Sequence, residues 1–220
     1  MLIVSHLSIR GLLKFSRGEG RFKRENQCVF CFDRRVRLFF AAPIPEDVRA
    51  GLSGRMAAGR GLGGVRWTPP EALHLTLRFL GETVESRLPE VERAGEAAAA
   101  VSRFSLALEG AGVFPSARQP KIFWAGIRGD LDQMRALAED LEARAVELGY
   151  PPESRRFTPH LTLARARADV RLNRAASEKF LAALCDHRSA PFIVKEIRLL
   201  RSHMGPSGSR YETLRTFPLR

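Results

Sequence analysis

His74-Leu75-Thr76-Leu77 recurs unchanged at His160-Leu161-Thr162-Leu163. As a β-strand each tetrapeptide has period two, so His and Thr share one face and the two leucines the other. The leucines call for a core, the imidazole and hydroxyl for a cleft. A single His-apolar-Thr-apolar string is expected by chance in roughly a few per cent of chains of this length. Two copies, each inside a plausible strand, point to a duplicated active-site element whose two histidines flank one phosphate.

The surroundings of the two copies are alike. The first strand is expected over 73–80, with Gly81 closing it. Before it come a buried strand from Val36 to Ala42, a helix begun by Pro43 and Pro45 through Val48, Leu52 and Met56, and a short strand over 65–67. A helix over 86–101 follows, then strands over 104–108 and 121–127. A long amphipathic helix over 131–148, capped by Asp130 and stopped by Gly149, leads to the second motif strand over 159–164. A helix over 173–184 and strands over 192–202 and 210–218 complete the chain. GRGLGG at 59–64 follows a helix and opens none, so it is a loop and not a dinucleotide fingerprint. The order of elements argues an α+β fold with helices outside a pair of sheets. The 86-residue offset between His74 and His160 fits duplication of one lobe.

Bulk properties narrow the function. With 45% hydrophobic and 27% charged residues, the 220-residue chain has the balance of a soluble globular protein. No apolar run suits a membrane helix and no signal peptide opens the chain, so the cytoplasm is the default location. A net charge of +12 favours a polyanionic partner such as RNA. Residues 1–35 hold 8 Lys/Arg against 3 Asp/Glu, and the remainder 28 against 21, so the body is basic without this segment. The segment is expected to be a poorly ordered basic leader or a gene-start extension, with the natural start near Val36 and a single domain over 36–220. Cys28 and Cys31 form a C-x-x-C without a second ligand pair, and Cys185, at the end of an apolar helix face, is expected to be a buried thiol.

Hydrolysis of a cyclic phosphodiester by in-line attack needs a water deprotonated on one side and a leaving oxygen protonated on the other. Two histidines titrating near working pH supply both functions, with no metal or other cofactor required. Thr76 and Thr162 can donate to the non-bridging oxygens, and the forked donors of Arg165 suit the phosphate's charge. A zinc site would need a third ligand, and no acid or thiol stands at a convincing spacing. His6, His187 and His203 lack a partner pattern and carry no assignment.

With HLTL at 74–77 and 160–163, VRLFFAAPIP, VRWTPPEALHLTLRFLGE, KIFWAGI, FTPHLTLAR and YETLRTFPL in order, the chain resembles the two-histidine phosphoesterases. Within them it is most similar to the LigT-like RNA 2′,3′-cyclic phosphodiesterases, once described as 2′-5′ RNA ligases. The resemblance implies a bilobal fold of two pseudo-symmetric, mainly antiparallel lobes around a central cleft. It implies His74 as the general acid protonating the leaving 3′ oxygen and His160 as the general base activating water, with Thr76, Thr162 and Arg165 at phosphate-contacting positions. The leader departs from the family pattern. Two other functions remain: 2′-5′ ligation by the reverse reaction, and a non-catalytic RNA-end binding module. A monomer is expected.

Overall fold

Nine strands and four helices follow one another in the order β1 (Arg35–Pro43), α1 (Glu46–Gly59), β2 (Val65–Trp67), β3 (His74–Val84), α2 (Leu88–Ala98), β4 (Phe104–Phe114), β5 (Ile122–Gly129), α3 (Leu131–Glu147), β6 (His160–Ala166), α4 (Arg174–Leu184), β7 (Phe192–Val194), β8 (Glu196–Gly205) and β9 (Gly208–Pro218), among the described residues. The structure, a computed structural model, describes residues 34–59, 61–205 and 208–220. The leader up to residue 33, the start-site expectation, His6 and the Cys28/Cys31 pair lie outside the described residues.

The strands form two antiparallel sheets with one motif strand in each: β3-β1-β8-β9 and β2-β6-β5-β4-β7. The fold is α+β and bilobal. Each motif strand lies beside the first strand of its own half, in matching register. Pro43 pairs with His74 and Ala41 with Thr76; Gly126 pairs with His160 and Trp124 with Thr162. Both ladders then slip at the same place. Phe40 pairs with Arg78 and Phe123 with Ala164, so Leu77 and Leu163 are extra residues. A bulge of this kind reverses the alternation. Leu77 and Arg78 are consecutively buried, as are Leu163 and Ala164. The fifth residue after each histidine, Phe79 or Arg165, therefore returns to the face of the His and Thr.

The four motif leucines are buried in the main core. Helices pair across the halves, α2 with α3 and α4 with α1, which interlocks the lobes. Over the first sheet lies α2, so close that a Cβ at Gly95 would stand 2.7 Å from Phe40 and 2.8 Å from Phe217. Its helical neighbour is α3, from the second half. Over the second sheet α4 packs Phe180 against Phe123, 5.0 Å between ring centroids, and its neighbour is α1 from the first half.

The segment from α3 to β6 is also tied to the first motif strand. Arg78, buried in the bulge, is ion-paired with Glu142 of α3 and with Glu153 at 3.2 Å, and donates to the carbonyl of Pro151 at 2.6 Å. Tyr150 donates its hydroxyl proton to Thr83 at 3.0 Å, and Arg87 donates to the Leu148 carbonyl at 2.6 Å. A guanidinium tolerates such burial only when its donors are matched. The approach to His160 is thus held by the strand that carries His74.

Four local expectations are corrected. Gly81, at φ +73°, does not end β3: it sits beside a second bulge, Leu80 being unpaired, and the strand runs on to Val84. A glycine inside a strand marks a bulge as readily as a stop. Asp130 stands at the N-cap of α3 but makes no side-chain cap bond, because its carboxylate accepts the amide of Ser105 at 2.8 Å. Cys185 is exposed, one residue past the buried face made by Ser177, Phe180 and Leu184. The strand expected over 192–202 divides at Lys195 into β7 of one sheet and β8 of the other, carrying the chain between lobes.

Candidate active site

β3 and β6 belong to different sheets yet run within 8 Å of each other, Cα to Cα. Beside them opens a cavity of about 410 Å³, lined by His74 and Thr76 from β3 and by Thr162 and Arg165 from β6. The bulge explains Arg165: five residues from His160, strict alternation would have turned it to the leucine face. His160 does not itself line this cavity. Its ring is half-buried next to Phe114, 5.2 Å between centroids, and Trp124 at 6.4 Å.

The two imidazoles are held in the same way. Nδ1 of His74 lies 2.7 Å from the carbonyl oxygen of Ala72, and Nδ1 of His160 lies 2.8 Å from that of Thr158. A carbonyl only accepts, so Nδ1 carries the proton in each ring and Nε2 is left to titrate. Each ring is also met edge-on by an aromatic from a strand of its own sheet that is not its immediate neighbour. Tyr211 of β9 stands 4.9 Å from His74 at 87°, and Phe114 of β4 meets His160 at 90°. At roughly 4.8 Å per strand, a flat sheet would keep β9 about 14 Å from β3. The Tyr211 contact therefore reports a curled sheet.

Burial pushes the His74 pKa down to about 4, against the pull of the Ala72 carbonyl, and the charges of Arg165 and His160 lower it further. His160 is lowered for the same leading reason, burial, with Arg165 again opposing its protonation. Arg165 therefore acts on both imidazoles, and His160 acts on His74: the three groups share one electrostatic field. Of the unassigned histidines, His203 pairs with Glu212 at 2.7 Å and His187 is buried at the end of α4; neither lines the cavity.

Sequence reasoning missed much of the remaining cavity wall, including Arg37 and Phe39 from β1, Phe79 from β3, Ser202 and Met204 from β8, and Ser209 and Tyr211 from β9. Phe39 and Tyr211, with Ala41 and Leu200, form a small apolar cluster apart from the main core, beneath His74. Aligning the two motif strands would have pointed to Phe79, which stands where Arg165 stands in the second copy. Among the described residues, no group of three or more His, Cys, Asp or Glu side chains is placed to hold a metal ion.

A bilobal duplication with one His-x-Thr strand per lobe defines a phosphoesterase of the two-histidine class. The family model for LigT-like phosphoesterases matches the chain twice, at residues 43–124 and 128–211, one match for each motif. The chain belongs to that family. It is 34% identical to an RNA 2′,3′-cyclic phosphodiesterase of Thermus thermophilus, over 84% of this chain and 91% of the relative. Among solved structures it superposes with a TM-score of 0.69 on TT0787, also of Thermus thermophilus, at 32% identity, covering 84% of this chain and 98% of that one. It also resembles Escherichia coli LigT in complex with 3′-AMP, with a TM-score of 0.65 at 27% identity, covering 84% and 99%.

Proposed function

We propose that this chain hydrolyses RNA or oligonucleotide 2′,3′-cyclic phosphate ends to 2′-phosphate ends, with His160 as general base and His74 as general acid. The observation that carries this reading is the shared tautomer: both Nδ1–H groups are engaged by carbonyls two residues upstream, leaving both Nε2 atoms to exchange protons. Nε2 of His160 takes a proton from water as its oxygen bonds to phosphorus. The P–O3′ bond in line with it breaks, and Nε2 of His74 gives its proton to O3′. The 2′ ester survives as a phosphomonoester. Thr76, Thr162 and Arg165 hold the non-bridging oxygens while charge accumulates on them.

The pKa of His74 is held down by burial first and by the charge of Arg165 after it. A bound phosphodiester anion offsets the positive field of Arg165 and so draws a proton onto His74. Substrate entry and proton uptake are therefore coupled, and the acid becomes charged in the complex that uses it. Naming of relatives as RNA 2′,3′-cyclic phosphodiesterases and the 3′-AMP complex of a structural neighbour both favour an RNA end as substrate.

Incubating the pure chain with a 2′,3′-cyclic-ended oligonucleotide and a chelator tests the reading. A 2′-phosphate product that persists with chelator is expected. A 3′-phosphate product would reverse the proton-transfer assignment, and tight binding without turnover would make the site an end-binding module.

A further inference from the structure

The two motif strands lie in opposite electrostatic surroundings. Residues 67–86, around the first motif, hold one Arg against three Glu; residues 153–172, at the same offset around the second, hold five Arg against two acids. On the first lobe the cations beside the motif strand are paired, Arg37 with Glu82 at 3.5 Å and Arg201 with Glu85 at 3.6 Å. On the second lobe they stand in a row on one face. Arg66 of β2 is directly opposite Arg165 in the ladder, so both side chains leave the sheet on the side that faces the cavity. The amide of Arg167 donates to the Gly64 carbonyl at 2.9 Å, which carries the β2–β6 pairing one step further. That step returns Arg167 to the same side, roughly 6–7 Å past Arg165. Like charges directly opposite in a ladder repel, and a third beside them adds to the repulsion.

Arg66 also meets the hairpin of β8 and β9. A Cβ at Gly208 would stand 3.3 Å from its Cδ, so the hairpin that lends Met204 and Ser209 to the cavity wall rests on it. The residues that follow Arg165 line a second cavity of about 550 Å³, together with Lys121, Arg171 and Gln119. Its one acid among the described residues is Asp169. Asp169 pairs with Arg167 at 3.4 Å, with both side chains more than half exposed, so the pair restrains the guanidinium weakly.

A row of cations that begins at Arg165 and ends in an open basic groove suits a chain of phosphates better than a single one. We infer that the RNA leaves the cleft over the second lobe, where Arg66, Arg167 and Arg171 hold the two phosphates 5′ of the cyclic end. The inference rests on the cyclic-phosphate reading for which end lies between the histidines. Contacts to phosphates carry no sequence information, so the row strengthens binding of every single strand alike. A mononucleoside cyclic phosphate reaches the histidines without touching it.

The test uses the full chain and compares a mononucleoside 2′,3′-cyclic phosphate with a cyclic-ended tetranucleotide. Between about 50 and 200 mM salt, two extra phosphate contacts should cost the tetranucleotide about sevenfold more kcat/KM than the mononucleoside. Arg66→Met and Arg167→Met should each bring that excess down to roughly threefold. An equal salt dependence for the two substrates, or an excess that survives both substitutions, would overturn the inference. Titration with a tetranucleotide ending in a 2′-phosphate, against a nucleoside 2′-monophosphate, separates it from the hydrolytic reading. Tighter tetranucleotide binding that Arg167→Met weakens, in a chain that turns over no substrate, would sink hydrolysis and support the phosphate row. Matching affinities would sink the row even if both substrates were hydrolysed.

Discussion

The two halves of the molecule, β1–α1–β3 and β5–α3–β6, are alike in what orients their histidines and different in what they bring to the cavity. Each histidine bonds a carbonyl two residues back, each meets an aromatic edge-on, and each strand bulges at the leucine after its threonine. One step past that bulge the likeness ends. The first half carries Arg78 and Phe79 where the second carries Ala164 and Arg165. Duplication supplies two imidazoles held alike; the later divergence makes their surroundings unlike. Arg165 places the fixed positive charge in the second half, Phe79 opens an apolar wall in the first, and Arg78 ties the two together.

The largest break in that comparison is removal of either imidazole. His74→Ala and His160→Ala should each lower kcat by roughly 10²–10⁴-fold. Because the pair acts as a unit, the double variant should lose little beyond the worse single one; losses that multiply would indicate two independent sites. Next, Arg165→Phe makes the second half resemble the first. Its kcat/KM should fall by roughly 10²–10³-fold. Removing a cation that depresses both imidazoles should also move the pH limbs upward, and unmoved limbs would show that Arg165 lies outside their field.

Arg78→Met probes the tie between halves, since it leaves Glu142 and Glu153 facing a buried apolar chain. It should cost about 3 kcal/mol in a urea melt, and an unchanged midpoint would show that the clamp carries no weight. Thr76→Val and Thr162→Val should have the smallest effects, roughly tenfold each in kcat/KM, from one lost hydrogen bond to a charged group.

Much of this was legible from the residues, and what was not has identifiable causes. Alternation in His-Leu-Thr-Leu separated core from cleft, and α3 was readable to within a residue of its observed end, Glu147. Arg165 was legible as a side chain suited to a phosphate, but its face was not: a bulge is a property of the pairing with β5, and no local pattern announces it. Gly81 was legible as a punctuation mark whose sense, stop or bulge, depended on a partner strand. Tyr211 and Arg37 come from β9 and β1 and reach the cavity only because the sheet order and curl bring them there. The pairing of helices across the halves is likewise a tertiary outcome, since the amphipathic faces of α1 and α3 do not state which helix they will meet.

The claim that two imidazoles share the proton traffic on one phosphate is tested most directly by the pH dependence of kcat/KM on a 2′,3′-cyclic-ended oligonucleotide. That ratio reports groups of the free chain, and both imidazoles titrate there below the ordinary 6.5, His74 at about 4. A bell with both limbs below pH 6.5 is the predicted result. A rate that stays level from about pH 5 to 9, where a titrating pair must change it, would contradict the account.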